Sequence, residues 1–203
     1  MSTISNADLV DAHARPGCIG LVGGADWLNR AIRRMQQPGL RPTQRSHWSH
    51  AFICSGRRAD GQHWVLESDL EMHRKQIRLG VQENRASKYF DDQAFPNLAI
   101  LDLGLTEAQT AEVLTAALDL LAGLTRYSLR EIVGTLLAVQ SRRLRSRDNV
   151  LAQEGSVYCS AMVQHCYARI GMQFSDGLAV KNTMPEDIAA TALPHQRHFI
   201  VRK

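Results

Sequence analysis

One stretch of this 203-residue chain constrains its fold and its chemistry more than any other: residues 157–164, with the sequence VYCSAMVQ. Apolar residues continue from it at helical spacing, at Met162, Val163, Cys166, Tyr167 and Ile170. That spacing predicts a helix that buries one side. Gly171 is typical of a residue that ends a helix, and Ser156 is suited to cap its start. We therefore predict a packed helix with Cys159 in its first turn.

A thiol in the first turn of a helix faces unpaired backbone N–H groups and the positive end of the helix dipole. Both favour the thiolate, so we expect a lowered pKa for Cys159. The same N–H groups are placed to bind a developing oxyanion. However, a cysteine on a helix is more often a packed core residue. The stretch alone therefore leaves two interpretations open, a nucleophile or a core thiol.

Composition indicates an ordinary globular protein. The chain has 44% hydrophobic and 22% charged residues, as is typical of globular proteins. Its length suits one domain over residues 1–203, with a helical segment at 106–147 inside it. The net charge is +4 and the isoelectric point is near 9.1. This mild basicity favours an anionic surface as a partner, and no nucleic-acid-binding motif is present.

Nothing in the sequence indicates a membrane span, a secretion signal or a cofactor. The first residues lack a basic segment followed by an apolar one, and no apolar run reaches the ~18 residues of a membrane helix. We expect a protein that is cytoplasmic as synthesised, and export by a signal-independent secretion system stays open. The cysteines lack C-x-x-C pairs and the histidines lack a ligand grouping, so no metal is expected.

The remaining pattern predicts an α+β fold with a small, mostly antiparallel sheet packed on the Cys159 helix. Strands are predicted at residues 18–22, 47–54, 63–67, 74–79, 98–103 and 198–202. The second and third of these form a hairpin. Helices are predicted around residues 7–14, from residue 25 to residue 35, twice within 106–147, and from residue 185.

Particular side chains define these helices. The helix that begins near Asp26 is expected to turn one stripe inward: Trp27, Leu28, Ala31, Ile32 and Met35. Capping boxes begin at Thr106 and Ser128. The stripe of the first capped helix contains Val113, Leu114, Ala117, Leu118 and Leu121.

Four arginines cluster at the end of the second capped helix: Arg142, Arg143, Arg145 and Arg147. They suit either a solvated helix end or an anionic surface such as lipid headgroups or cell-wall polymer.

A thiolate nucleophile needs a base, and an imidazole base needs a polar group that fixes its tautomer. His50 and Glu67 lie one on each strand of the predicted hairpin. Whether they share a face depends on the register, which the sequence does not determine. With Cys159 at a helix start, the chain contains the three groups of a cysteine-dependent site.

Several segments, in their order along the chain, resemble the circularly permuted branch of the NlpC-type papain-like cysteine hydrolases, which includes YiiX-like proteins and the lecithin:retinol acyltransferase group. They are residues 16–22 (PGCIGLV), 48–53 (WSHAFI), 65–67 (VLE), 123–128 (GLTRYS), 158–163 (YCSAMV) and 185–188 (PEDI). In that branch the histidine strand precedes the cysteine, as His50 precedes Cys159 here.

The resemblance implies a permuted papain-like fold, with Cys159 as nucleophile, His50 as general base and then acid, and Glu67 as the group that orients the imidazole. Apart from the resemblance, the position of Tyr158 next to the thiol suits either the lining of the substrate pocket or a place in the core. The expected activity is hydrolysis of an amide or peptide bond through an acyl-thioester, with bacterial cell-wall peptide as one substrate class. One alternative is a lipid acyl-ester hydrolase or acyltransferase at an anionic membrane. Another is a binding module without activity.

Overall fold

One antiparallel sheet of six strands forms the centre of the computed structural model, which describes residues 4–36, 46–73, 76–123, 159–174 and 180–202. Its strands are β1 (Ile19–Gly23), β2 (His50–Arg57), β3 (His63–His73), β4 (Gln76–Arg85), β5 (Asn97–Asp102) and β6 (Gln196–Val201). Their spatial order is β4-β3-β2-β1-β5-β6. Every neighbouring pair is antiparallel. The predicted α+β class and antiparallel sheet are confirmed.

Five helices lie in the described residues: α1 (Asn6–His13), α2 (Trp27–Met35), α3 (Glu107–Ala122), α4 (Cys159–Ala168) and α5 (Pro185–Ala189). A 3-10 turn, Ala86–Tyr89, follows β4. Side-chain caps fix three of the helix starts, because the oxygens of Ser5, Asp26 and Thr106 each accept a backbone N–H of the first turn. The capping box predicted at Thr106 is confirmed by its partner Gln109. No described helix is both long enough and apolar enough to cross a bilayer.

Alternating strand residues divide the core into two clusters, one on each face of the sheet. We call the face covered by α3 and α4 the α4 face; its strand residues include Ile19, Leu21, Ala51, Ile53 and Leu66. We call the other the α1 face; its strand residues include Val22, Phe52, Cys54 and Val65, and it is covered by α1 and the 3-10 turn. A two-residue period on every strand produces this division.

Contacts at both ends fix the direction of α4. Near its end, the Tyr167 hydroxyl donates to the Gly17 carbonyl oxygen, beside the last part of β2. Near its start, the Ser160 hydroxyl donates to the Thr183 carbonyl oxygen at 2.6 Å. The segment after Thr183 contacts the loop before β2, since Glu186 accepts the Ser46 hydroxyl at 2.6 Å. α4 therefore runs in the direction of β2 and begins near the end of the sheet where His50 lies.

The apolar stripes predicted for α2 and α3 are each wrong in part. Trp27 was expected to face inward, yet it is 79% exposed. The side of α2 that faces the protein is instead the one that carries Asn29 and Gln36, whose side chains hydrogen-bond to Ser49 and to the Trp48 carbonyl oxygen. Leu118 is 47% exposed, because the fully buried positions of α3 are Val113, Ala116 and Ala117.

Other predictions differ in extent or lie outside the described residues. The described part of the strand predicted at 74–79 begins the longer β4, which pairs along its whole length with β3. The Ser128 capping box, the arginines at 142–147, the Ser156 cap and Tyr158 are outside the described ranges.

Candidate active site

His50 and Glu67 meet on the α1 face. The β2–β3 register sets Glu67 opposite Phe52, and residues two apart on a strand share a face. His50 Nε2 and Glu67 Oε2 are 2.8 Å apart. The carboxylate has no exposed surface, whereas the His50 side chain keeps 12% of its own. The structure therefore brings together two of the predicted site residues in a mostly buried pair.

Three further donors surround the Glu67 carboxylate. Asn84 Nδ2 and Lys88 Nζ each lie 2.7 Å from Oε1, and the Tyr89 hydroxyl donates to Oε2. Asn84 comes from β4, and Lys88 and Tyr89 come from the 3-10 turn that follows it. None of these three residues was predicted from the sequence, since the segment between β3 and β5 offers no strong pattern beyond a short strand.

These donors decide the charge of Glu67. Burial on its own would raise the pKa of this carboxyl, but the hydrogen bond and charge of His50, together with the Lys88 ammonium, hold it well below its ordinary value. Glu67 is therefore ionised over the whole physiological range. A carboxylate can only accept, so Nε2 of His50 must carry the donated proton. In the neutral ring, Nδ1 then keeps the lone pair that a general base requires.

Aromatic packing fixes the position of this network. The Tyr89 ring stacks on Phe52, with centroids 5.2 Å apart and planes inclined by 7°. The Phe52 ring in turn covers Gly20 of β1, where an added Cβ would lie 2.0 Å from the ring. Only glycine leaves room for the ring at this position. The central strand β1 therefore supports the stacked rings of Phe52 and Tyr89, and the Tyr89 hydroxyl in turn donates to Glu67.

Cys159 is the first residue of α4 and is partly exposed. The helix packs on the α4 face, whereas the His50–Glu67 pair belongs to the α1 face. His50 is the first residue of β2, and the start of α4 lies toward the same end of the sheet. Helix α4 and the His50–Glu67 pair thus lie on opposite faces of the sheet, toward the same end. This geometry was not foreseen from the sequence.

The other three cysteines are buried. Burial raises the pKa of Cys18 to about 11 and that of Cys166 to about 12, and it raises the pKa of Cys54 well above its ordinary value. Thiols of this kind stay protonated near neutral pH and react slowly. Among the cysteines, only Cys159 combines partial exposure with a place at a helix start.

The described residues also bear on metal binding. Within the ranges given above, no three His, Cys, Asp or Glu side chains are grouped so that they could hold a metal ion. Glu67 is a poor ligand, because its oxygens already accept from His50, Asn84, Lys88 and Tyr89. The Lys88 ammonium would also repel a cation. The donors around His50 do not fit a metal.

Comparison with known proteins gives a likeness in fold. No family model matches the sequence, and no curated protein is significantly similar to it. Among solved structures, the chain is similar to the crystal structure of metalloprotein YiiX from Escherichia coli O157:H7, DUF1105. The TM-score is 0.57 at 12% identity, over 94% of this chain and 98% of that one. The predicted resemblance to a YiiX-like protein is thus confirmed at the level of the fold.

Proposed function

We propose that this protein is a cysteine-dependent hydrolase that cleaves an amide or peptide bond through an acyl-thioester. The observation that carries the proposal is the His50–Glu67 pair, in which a fully buried carboxylate orients an imidazole at 2.8 Å. Such a pair is the base and orienting group that a thiol nucleophile requires. Cys159, at the start of the neighbouring helix, is the proposed nucleophile.

In the first half-reaction, His50 Nδ1 takes the proton of the Cys159 thiol, and the sulfur attacks the carbonyl carbon of the substrate. The tetrahedral intermediate collapses when the C–N bond breaks and the amine leaves with the proton from Nδ1. In the second half-reaction, His50 removes a proton from water, which attacks the thioester. A carboxylic acid is released, and the sulfur recovers its proton. Glu67 remains ionised and stabilises the imidazolium in both halves.

Backbone N–H groups in the first turn of α4 are proposed to bind the oxyanion of each tetrahedral intermediate. They have no partner within the helix and lie at the positive end of its dipole. YiiX is described as a metalloprotein, but the donor set around His50 and Glu67 does not suit a cation. No step of the proposed reaction therefore passes through a metal.

A lipid acyl ester is the second candidate substrate, and one observation favours it. Helix α2, beside the strand that begins at His50, exposes a tryptophan and arginines of the kind that contact lipid headgroups. The same thioester chemistry would release an alcohol in place of an amine. The proposed nucleophile, base and orienting group are unchanged.

Incubation with candidate substrates tests the proposal. Purified peptidoglycan and phospholipid vesicles are treated separately with the wild-type protein and with Cys159→Ala, and the products are assayed for new amines and free fatty acid. New amines that depend on Cys159 are the expected result, and Cys159-dependent fatty acid would favour the second candidate. Turnover by folded Cys159→Ala would contradict the mechanism for both substrates.

A further inference from the structure

One face of α2 points away from the protein and has an unusual composition. Trp27, Arg30 and Arg34 are all exposed, and their spacing of three and then four residues places them on one side of a helix. Trp27 is 79% exposed, the highest value among the large apolar side chains of the described residues. An indole that points away from the protein offers a large ring with a polar N–H to an interface between water and an apolar phase. We call these three residues the outer face of α2.

Polar contacts on the opposite side hold α2 in this orientation. Asn29 accepts the Ser49 hydroxyl, and the Gln36 amide donates to the Trp48 carbonyl oxygen at 2.6 Å. Gln36 also accepts the backbone N–H of Glu186 at 3.0 Å. With both ends of its inner side hydrogen-bonded to the core, the helix cannot turn Trp27 inward without breaking these bonds. The exposure of the outer face therefore belongs to the fold itself.

The charge of this helix is positive and poorly compensated. It carries Arg30, Arg33 and Arg34, and within the described residues none of them has a carboxylate at ion-pair distance. Partial burial and the neighbouring guanidinium groups of Arg30 and Arg34 lower the pKa of Arg33. The nearby carboxylate, Asp26, is engaged in capping the helix through the Asn29 N–H. An anionic partner would relieve this repulsion.

We propose that the outer face of α2 docks on the surface of an anionic lipid bilayer. The guanidinium groups of Arg30 and Arg34 bind lipid phosphates, and the Trp27 indole enters the interfacial layer, where tryptophan is favoured. The arrangement fits lipid better than single-stranded nucleic acid. Nucleic acid requires a groove with several stacking platforms, whereas this surface is a convex helix with one aromatic ring.

Docking in this way would set the candidate active site beside the membrane. Asn29 of α2 accepts the hydroxyl of Ser49, the residue directly before His50. Helix α2 and the start of β2 are therefore connected by one hydrogen bond and one peptide unit. The docking proposal itself does not depend on any catalytic activity, since it rests on the exposure and the charge of α2 alone.

Vesicle sedimentation tests the proposal with the full-length protein. The wild-type chain is mixed with vesicles of phosphatidylcholine alone or of phosphatidylcholine with phosphatidylglycerol, and the bound fraction is measured at low and high salt. Binding is expected only to the anionic vesicles. Arg30→Gln/Arg34→Gln should lower the partition coefficient about 25-fold at low salt, roughly fivefold for each guanidinium. Trp27→Ala should weaken binding in a way that persists at high salt.

Two control variants each remove two arginines outside α2, and so change the net charge by the same amount as the α2 variant. Arg85→Gln/Arg169→Gln removes two exposed arginines that pair with Asp60 and Glu112, and it should bind like the wild type. Arg142→Gln/Arg143→Gln removes part of the second arginine cluster, and it should retain more binding than the α2 variant. Circular dichroism and thermal unfolding identify any variant that has lost its fold.

A fluorescence measurement gives an independent result. Trp27 is the most exposed of the three tryptophans, because Trp48 is buried and Trp64 is partly buried. Anionic vesicles should therefore shift the emission of the wild type to the blue, and the shift should vanish in Trp27→Phe. Equal binding to both vesicle types, loss of binding in the Arg85/Arg169 control, or tighter binding to DNA than to lipid would each overturn the proposal. So would failure to bind either vesicle.

Discussion

Glu67 is a carboxylate without solvent contact that accepts hydrogen bonds from four side chains. Removing a carboxylate from water costs several kcal/mol, and only well-placed donors and positive charge recover it. Lys88 supplies a full charge at 2.7 Å, and Tyr89 and Asn84 supply neutral donors. A buried carboxylate kept ionised in this way is typical of a functional site, and in the proposed reaction it orients the His50 ring.

Acid should therefore weaken the fold through Glu67. The pKa of this carboxyl is lower in the folded protein than its ordinary value of 4.5, so its contribution to stability is complete above that pH and is lost as the pH falls below it. Urea unfolding of the wild type from neutral pH to about pH 2.5 should show a steep loss of unfolding free energy.

Glu67→Gln is the matched variant, because it keeps the size and loses the titration. It should be less stable than the wild type at neutral pH, with a shallower loss below pH 4.5. Parallel curves for the two proteins would show that Glu67 is not an ionised, paired carboxylate in the folded chain.

At the residue scale, the sequence indicated the main residues of the candidate site but not their hydrogen-bond partners. His50, Glu67 and Cys159 stand out because their residue types suit one chemistry and they occur in a strand pair and at a helix start. Lys88, Asn84 and Tyr89 could not be found in this way. Their role depends on how β4 pairs with β3 and on a 3-10 turn, and such turns leave little pattern in a sequence.

Among the elements, β1 is tied to the site by close packing. Gly20 lies under the Phe52 ring, which stacks on Tyr89. Gly20→Ala should push the ring aside and lower the free energy of unfolding by about 2–3 kcal/mol, a typical cost of overpacking. The displaced stack should also disturb the Tyr89 hydrogen bond to Glu67.

A double-mutant cycle separates this cause from a general defect of the strand. Phe52→Leu removes the ring that would clash, so Gly20→Ala should cost distinctly less in the Phe52→Leu background than in the wild type. Chemical denaturation of the four proteins measures the coupling. Additive losses would contradict the close contact between Gly20 and the Phe52 ring.

Helix α2 shows why an element can be predicted while its orientation is not. The apolar spacing correctly predicted a helix that begins after Asp26, but it assigned Trp27 to the buried side. Periodicity weighs apolar residues alone, whereas here the polar side chains of Asn29 and Gln36 face the core and fix the rotation. The hairpin of β2 and β3 was correctly predicted, but the order of the remaining strands was inaccessible, because most of their pairing partners are distant in sequence.

At the scale of the whole molecule, the last strand closes the structure onto its first helix. The Arg202 guanidinium donates to Asn6 Oδ1 at 2.7 Å and to the Ile4 carbonyl oxygen at 3.0 Å, and it pairs with Asp92 at 2.9 Å. Asn6 in turn donates to the Tyr89 carbonyl oxygen at 2.9 Å. One chain of contacts thus links both ends of the described chain to the turn that holds Glu67.

Arg202→Met should accordingly destabilise the entire protein. We expect the free energy of unfolding to fall by about 2–3 kcal/mol, because the substitution removes a partly buried cation that makes several charge-assisted hydrogen bonds. Thermal unfolding should remain a single transition at a lower midpoint, as expected for the predicted single domain. Arg85→Met, which breaks the more exposed pair with Asp60, should cost less than about 1 kcal/mol. Equal losses, or a separate early transition in Arg202→Met, would contradict this role.

The predicted architecture survives at this scale as an α+β fold with the histidine strand ahead of the cysteine helix. The likeness to YiiX agrees with the α+β fold. What the sequence could not supply is the direction of α4 relative to the sheet. Two tertiary hydrogen bonds, those of Tyr167 and Ser160, fix that direction, and no local pattern encodes them.

The pH dependence of Cys159 alkylation tests the central claim most directly, since it needs no substrate. Iodoacetamide labelling is followed by peptide mass spectrometry in the wild type and in His50→Ala, with Cys18, Cys54 and Cys166 as buried internal references. We predict rapid labelling of Cys159 at about pH 6, below the ordinary thiol pKa of ~8.5, and a marked loss of that reactivity in folded His50→Ala. The same rate and pH profile in both proteins would contradict a thiolate activated by His50.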